Sequence, residues 1–167
     1  MFSRSLRRFQ SNNSFDIGVI GGGIVGCASA KHLKQQYPDL KICVLEKEDH
    51  LSPHQSGHNS GVIHAGIYYT PGSMKAKLCR EGLVKSYEYF DEHKIPYKKC
   101  GKLVVATKPE EIPRLDNLVE RATKNGVPFE VVDANGIKEI EPNCRGLKAI
   151  NSPTTGIVDW GLVCRFY

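Results

Sequence analysis

From Phe15 the chain runs FDIGVI, a short apolar stretch, into GGGIVG and then into CASAKHLKQQY, where Ile24, Val25, Ala28 and Leu33 recur on one side of a helical pattern. This predicts a buried strand, a glycine-rich turn and a helix ended by Pro38 and Asp39. KICVLE, which follows, predicts a second buried strand. Strand, turn, helix and strand fill residues 15–46, about the ~30 residues of a βαβ unit, with parallel strands and a right-handed crossover.

Beyond residue 70, TPGSMKAKLCREGLVKSYEYFDEHK places Met74, Leu78, Leu83, Tyr87 and Phe90 at three- to five-residue spacing behind Ser73, a good N-cap residue, so a long amphipathic helix is expected. KCGKLVVATK then reads as a strand. EIPRLDNLVERATKNG reads as a helix with Pro113 in its first turn and Gly126 just past its end, and PFEVVD as another strand. ANGIKEIEP gives one or two helical turns before Pro142. The change of pattern near residue 97 sets the expected division: 15–96 as a nucleotide-binding domain and 97–167 as the beginning of a second domain.

Gly21, Gly23 and Gly26 form G-x-G-x-x-G between the first strand and the first helix. The first glycine suits the tight turn, the second lets a diphosphate approach the backbone, and the third lets helix and sheet pack closely. The helix N-terminus offers N–H groups and partial positive charge to the phosphates. Glu46, twenty residues past Gly26 at the end of the second strand, is placed to accept hydrogen bonds from ribose hydroxyls and disfavours a 2′-phosphate, which argues against NADP. The bland alternative is a glycine turn with no ligand, but strand, helix, spacing and acid agree against it. The fingerprint alone leaves flavin and nicotinamide open.

Residues 54–69, HQSGHNSGVIHAGIYY, hold His54, His58 and His64 at a spacing that can supply three zinc ligands, with no fourth ligand at recognised spacing nearby. The same stretch makes better sense as a cofactor loop. Ser56, His58, Asn59 and Ser60 carry hydroxyl, imidazole and amide groups, and Gly57, Gly61 and Gly66 permit close backbone approach.

Charge changes the picture only at the N-terminus. MFSRSLRRFQSNNS has arginines and serines, no acid, and Phe2, Leu6 and Phe9 on one helical face, as in a mitochondrial transit peptide over residues 1–14, although a frayed basic tail has the same composition. Without Arg4, Arg7 and Arg8 the formal net charge falls from +5 to +2, so the body of the chain carries no electrostatic signature of nucleic-acid binding. Charged residues interrupt every apolar run, which excludes a membrane-spanning helix and leaves association with a membrane surface open. Six scattered cysteines, with no C-x-x-C, fit a reducing compartment.

GGGIVG, the Glu46 strand end, HQSGHNSGVIHAGIYYTPGSMKAKLC, YKKCGKLVVAT, EEIPRL and EPNCRGLKAINSPTTGIVDW together closely resemble the L-2-hydroxyglutarate dehydrogenase family of the FAD-dependent, D-amino-acid-oxidase-like flavoprotein superfamily. The resemblance runs over residues 15–160. It implies FAD rather than NAD, and an α/β fold: a Rossmann-like FAD-binding βαβ unit with the start of an inserted, mixed α+β substrate domain. It also implies that a 2-hydroxy acid, L-2-hydroxyglutarate, is oxidised to 2-oxoglutarate as its C2 hydride passes to the flavin and a base takes the hydroxyl proton.

The cofactor-binding residues expected are Gly21, Gly22, Gly23, Ile24, Val25, Gly26, Glu46 and Lys47, with Ser56, Gly57, His58, Asn59, Ser60 and Gly61 of the loop. No metal site is expected. His64 is the candidate base, since an imidazole exchanges protons near ~6.5, with a hydrogen bond to the flavin or to a backbone carbonyl as the equal alternative. Tyr68 and Tyr69 read as packing residues. Lys75 and Lys77 are weighed as attractors of a dicarboxylate against the solvated helix face usual for such charges. Measured against the family, the chain is expected to be truncated, to bind FAD poorly by itself and to be inactive in this form. The electron acceptor is unidentified. The alternatives carried forward are another flavin oxidoreductase of the superfamily, acting on an amino acid or glycerol phosphate, and a non-catalytic nucleotide-binding fragment.

Overall fold

The computed structural model describes residues 14–167; the segment read as a transit peptide, apart from Ser14, lies outside the described residues. In chain order the elements are β1 (Ile17–Ile20), α1 (Ile24–Gln36), β2 (Ile42–Leu45), β3 (Val62–Ile63), α2 (Met74–Glu92), β4 (Tyr97–Lys98), β5 (Leu103–Ala106), α3 (Ile112–Lys124), β6 (Glu130–Asp133), α4 (Ala134–Ile140), β7 (Lys148–Asn151), β8 (Gly156–Val158) and α5 (Trp160–Phe166). They form two compact units. One runs to His58 and takes in Trp160–Tyr167, and the other is Asn59–Asp159. The pattern change near residue 97 coincides with neither junction.

In the first unit β1 and β2 pair in parallel, Ile17 beside Ile42 through Ile20 beside Leu45, with α1 as the connection. The turn into β2 is closed by Lys34, whose Nζ donates to the carbonyls of Pro38 at 2.7 Å and Leu40 at 2.9 Å. Two expectations need correction. Val25 is 76% exposed and Cys27 is the buried residue of α1, because Gly26 is the helix position set against the turn and β1, which puts Cys27 on the Gly22 carbonyl and leaves Val25 outside. β2 is only half covered, and Leu45 and Ile20 lie exposed at the strand ends, since a two-stranded sheet has little to bury them against.

The second unit holds two antiparallel sheets, β3-β8-β4 and β5-β7-β6. In the latter, Val104 pairs with Ile150 and Val105 with Ala149, so side chains alternate between faces. Val104, Ala106 and Ile150 join Leu115, Leu118, Val119 and Ala122 of α3 in the core, with Ala65 and Ile67 from the segment after β3. α3 starts after a 3-10 turn (Pro109–Glu111), carries Pro113 in its first turn, and ends at Gly126 with φ +63°, a left-handed conformation that suits glycine. Ser73 caps α2 by accepting from the Ala76 N–H at 3.2 Å, and Asp133 caps α4. Met74 and Leu78, expected on the inner face of α2, are exposed, and Ala76 and Phe90 are its buried residues.

Candidate functional site

In the first unit the expected nucleotide residues converge on the turn between β1 and α1. Gly21 has φ +102° and nothing within 4 Å of where a Cβ would stand, so its backbone is open to a ligand. A Cβ on Gly26 would collide with the Gly21 carbonyl oxygen, so glycine there is what lets α1 start directly against the turn. Gly23 occupies the N-cap position and has no side chain to cap with. An α-helix leaves its first N–H groups without intrahelical acceptors, and here Ser56 of the downstream loop accepts from Ile24 at 2.9 Å.

Glu46 closes the other side. Its Oε2 accepts from the Gly22 N–H at 2.7 Å, and its Oε1 accepts from the N–H groups of Lys47 at 2.9 Å and Glu48 at 3.2 Å. The Gly22 bond comes first among the causes that hold this carboxyl below the usual carboxylate range. A carboxylate offers about four acceptor positions, so the anion still has capacity for a ribose hydroxyl. The Lys47 ammonium pairs with Glu48 at 3.4 Å, and Glu48 also faces His54 Nε2 at 3.4 Å. His58 Nδ1 turns back to the His54 carbonyl at 3.3 Å, and Gly57 has its Cα against the Ser52 carbonyl, where a Cβ would collide.

Gly22 is also held from behind. Its carbonyl accepts from Ser52 N at 2.9 Å and from Cys27 Sγ at 3.4 Å. The Cys27 thiol hydrogen-bonds with that of Cys164, on α5, which in turn hydrogen-bonds with the Ser52 side chain. All three residues are buried, and Ser52 sits at φ +56°. Burial pushes both thiols up, which keeps them protonated as donors. Sequence reading missed this support. Cys27 within the glycine motif was its only signal, and it reads there as a small hydrophobe.

Asn59, Ser60, Gly61 and His64 belong to the second unit. Asn59 Oδ1 accepts from Gly61 N at 2.8 Å, and Gly61, at φ +68°, accepts at its carbonyl from the Val158 N–H at 2.9 Å. His64 is exposed and its carbonyl accepts from Cys79 Sγ at 3.2 Å. Its imidazole is pushed below the ordinary histidine value, first by desolvation and second by the Lys102 charge. The Lys102 charge is the smaller of these two causes. Among the described residues no group of three or more His, Cys, Asp and Glu is placed to hold a metal ion, and no helix is long and apolar enough to cross a membrane.

The residues present fit an adenine dinucleotide: an open glycine backbone at Gly21, a helix N-terminus, and an ionised acid beside it. Comparison with known proteins gives the same answer. The family model for FAD dependent oxidoreductase matches residues 16–167. The chain is 62% identical to the mitochondrial L-2-hydroxyglutarate dehydrogenase of Caenorhabditis elegans, over 90% of this chain and 35% of that protein. It is 56% identical to the human protein of the same name, over 92% and 33%. The chain therefore spans about a third of the length of these relatives. Among solved structures, FAD-bound L-alpha-glycerophosphate oxidase from Mycoplasma pneumoniae superposes with TM-score 0.79 at 26% identity, over 92% of this chain and 41% of that one. Glycine oxidase from Geobacillus kaustophilus has TM-score 0.80 at 20% identity over 91% and 43%, a likeness of fold.

Proposed function

The chain belongs to the FAD dependent oxidoreductase family, and we propose that it carries the FAD-diphosphate cradle and the proton-accepting histidine of a mitochondrial dehydrogenase that oxidises L-2-hydroxyglutarate to 2-oxoglutarate. The observation that carries the cofactor reading is the Glu46 carboxylate on the Gly22 N–H beside the start of α1, which joins the ribose acid and the phosphate turn in one arrangement. Gly21, Gly22, Gly23, Ile24, Val25 and Gly26 would hold the diphosphate, Glu46 and Lys47 the adenosine side, and Ser56–Gly61 the remainder of the cofactor. The substrate rests on the 62% identity to a dehydrogenase of that name and the compartment on the word mitochondrial in that name, with the basic N-terminal segment as further support.

Bound flavin supplies a two-electron acceptor for the C2 hydrogen of a 2-hydroxy acid. The chain's own part is to take the hydroxyl proton, and His64 suits it: an imidazole depressed below its ordinary value is neutral, and so able to accept a proton, throughout the neutral pH range. The electron acceptor that reoxidises the flavin is a separate partner.

The test is flavin retention and turnover. In a chain extended to the length of these relatives, added FAD should show quenched fluorescence and shifted flavin absorbance, and L-2-hydroxyglutarate should reduce a dye through it while the D enantiomer and L-lactate do not. Equal reduction by glycerol phosphate or an amino acid would move the substrate elsewhere in the superfamily, and no flavin binding at all would leave the fragment reading.

A further inference from the structure

After β3, the segment His64–Tyr69 is fastened at several points within the second unit. Ala65 and Ile67 are buried in the core. The buried Asn125 donates from Nδ2 to the carbonyls of Gly66 at 3.2 Å and Tyr69 at 2.9 Å, Arg121 Nη1 donates to that of Tyr68 at 3.4 Å, and Cys79 Sγ to that of His64. A backbone held this way fixes where His64 and Tyr68 present their side chains.

Lys102 meets the same segment from the start of β5. Its N–H donates to the Ser152 carbonyl at 3.1 Å and its carbonyl accepts from Ser152 N at 2.9 Å. Ser152 is fully buried, with its hydroxyl 3.0 Å from that of Thr155. From this anchored backbone the Lys102 ammonium lies over the Tyr68 ring, 4.6 Å from its centroid. It has no acidic partner among the described residues, in contrast with Lys148, whose ammonium sits 2.6 Å from Asp116. An aromatic face attracts a cation without neutralising it. The His64 imidazole, whose proton affinity the same charge lowers, carries no negative charge in either protonation state. The result is a positive centre on an anchored backbone, with no acidic partner among the described residues.

We infer that Lys102, steadied on Tyr68, is the specificity residue that binds a carboxylate of the substrate next to His64, so that the site selects a short-chain dicarboxylate over a monocarboxylate. This rests on the proposed function. It assigns the cation that decides which 2-hydroxy acid is accepted. Lys75 is the internal comparison: its ammonium lies 4.9 Å from the Tyr69 centroid in the same kind of contact, but the charge that acts on His64 is that of Lys102.

The experiment is a backbone and imidazole NMR titration of the 167-residue chain with glutarate and with valerate, an acid of equal chain length lacking one carboxylate. Glutarate should give saturable shifts at His64, Tyr68 and Lys102, and valerate at least about tenfold weaker ones, as loss of a charge-assisted contact implies. K102M should weaken glutarate about tenfold with an unchanged melting temperature, K102R should retain most of the binding, and K75M should change it less than about twofold. Absence of saturable glutarate shifts at these residues, equal binding of valerate, or an unaffected K102M overturns the inference. FAD binding is measured on the same samples by fluorescence quenching. Loss of FAD binding with glutarate binding intact strikes the cofactor reading alone, and the converse strikes the Lys102 assignment alone.

Discussion

Ser56 Oγ accepts the Ile24 N–H at 2.9 Å across thirty-two residues of sequence, so α1 is capped from a loop and not by the glycine that precedes it. The contact ties the loop proposed to hold the cofactor to the helix end proposed to meet its diphosphate. Ser56→Ala should therefore act twice. It removes a cap worth about 1 kcal/mol, visible as a lower thermal midpoint of the apoprotein, and it frees the loop, visible as weaker FAD quenching. An unchanged FAD Kd alongside the stability loss would reduce Ser56 to a helix cap.

The two outer glycines of the motif separate conformation from space. Gly26→Ala drives a methyl into the Gly21 carbonyl, backbone that cannot step aside, and should prevent the first unit from folding, as read by loss of dispersion in the Gly18, Val19 and Val44 amide signals. Gly21→Ala meets nothing within 4 Å, so its penalty is the φ of +102° alone, roughly 1–3 kcal/mol. That variant should fold, and should lose FAD affinity by more than its loss of stability, because the added methyl occupies the approach open to the ligand.

How far the sequence carried these conclusions depends on whether a residue's partner lies nearby in the chain. The βαβ order, the Ser73 cap, and Pro113 and Gly126 at the ends of α3 all follow from local spacing, and each has its counterpart in the structure. β7 and β8 did not emerge, because LKAIN and GIV are short and become strands only by pairing with β5, β6, β3 and β4. Val25 illustrates the same limit within a helix: periodicity names an apolar face, but the contact of Gly26 with Gly21 sets the rotation. Ser52, Cys164 and Lys102 left no signal, since each acts on residues reached only through the fold.

The buried triad behind Gly22 makes a prediction of its own. Cys164→Ser keeps a donor and an acceptor at nearly the same place, whereas Cys164→Ala leaves Cys27 and Ser52 without their shared partner, at a cost of about 1–3 kcal/mol. The alanine variant should lower the thermal midpoint and shift the Gly22 amide signal, and the serine variant should restore both. If serine and alanine behave alike, the thiol contributes packing only. Ser52→Gly is expected to be tolerated better than Ser52→Val, because φ +56° suits glycine and strains a β-branched residue.

The His64 titration distinguishes a poised base from an ordinary surface histidine. Its ring should titrate below the ~6.5 of a free imidazole, with desolvation as the larger cause and Lys102 as the smaller. Replacing Lys102 by Met should therefore return the midpoint only part of the way. The sign carries over to stability. A base whose folded pKa is depressed takes up its proton first in the unfolded chain, so stability declines as pH falls through the unfolded value near ~6.5 and stops declining below the folded one. His64→Asn should remove that pH-dependent segment while leaving stability at pH 8, where the ring is neutral in both states, nearly unchanged. In an FAD-loaded chain of full length, the same depressed value should appear as the acid limb of the proposed oxidation of L-2-hydroxyglutarate, moved toward higher pH by K102M. Proton-detected titration of the imidazole Cε1–H, read beside the pH–rate profile, checks both, and a ring that titrates at or above the free value would remove His64 from the role of base.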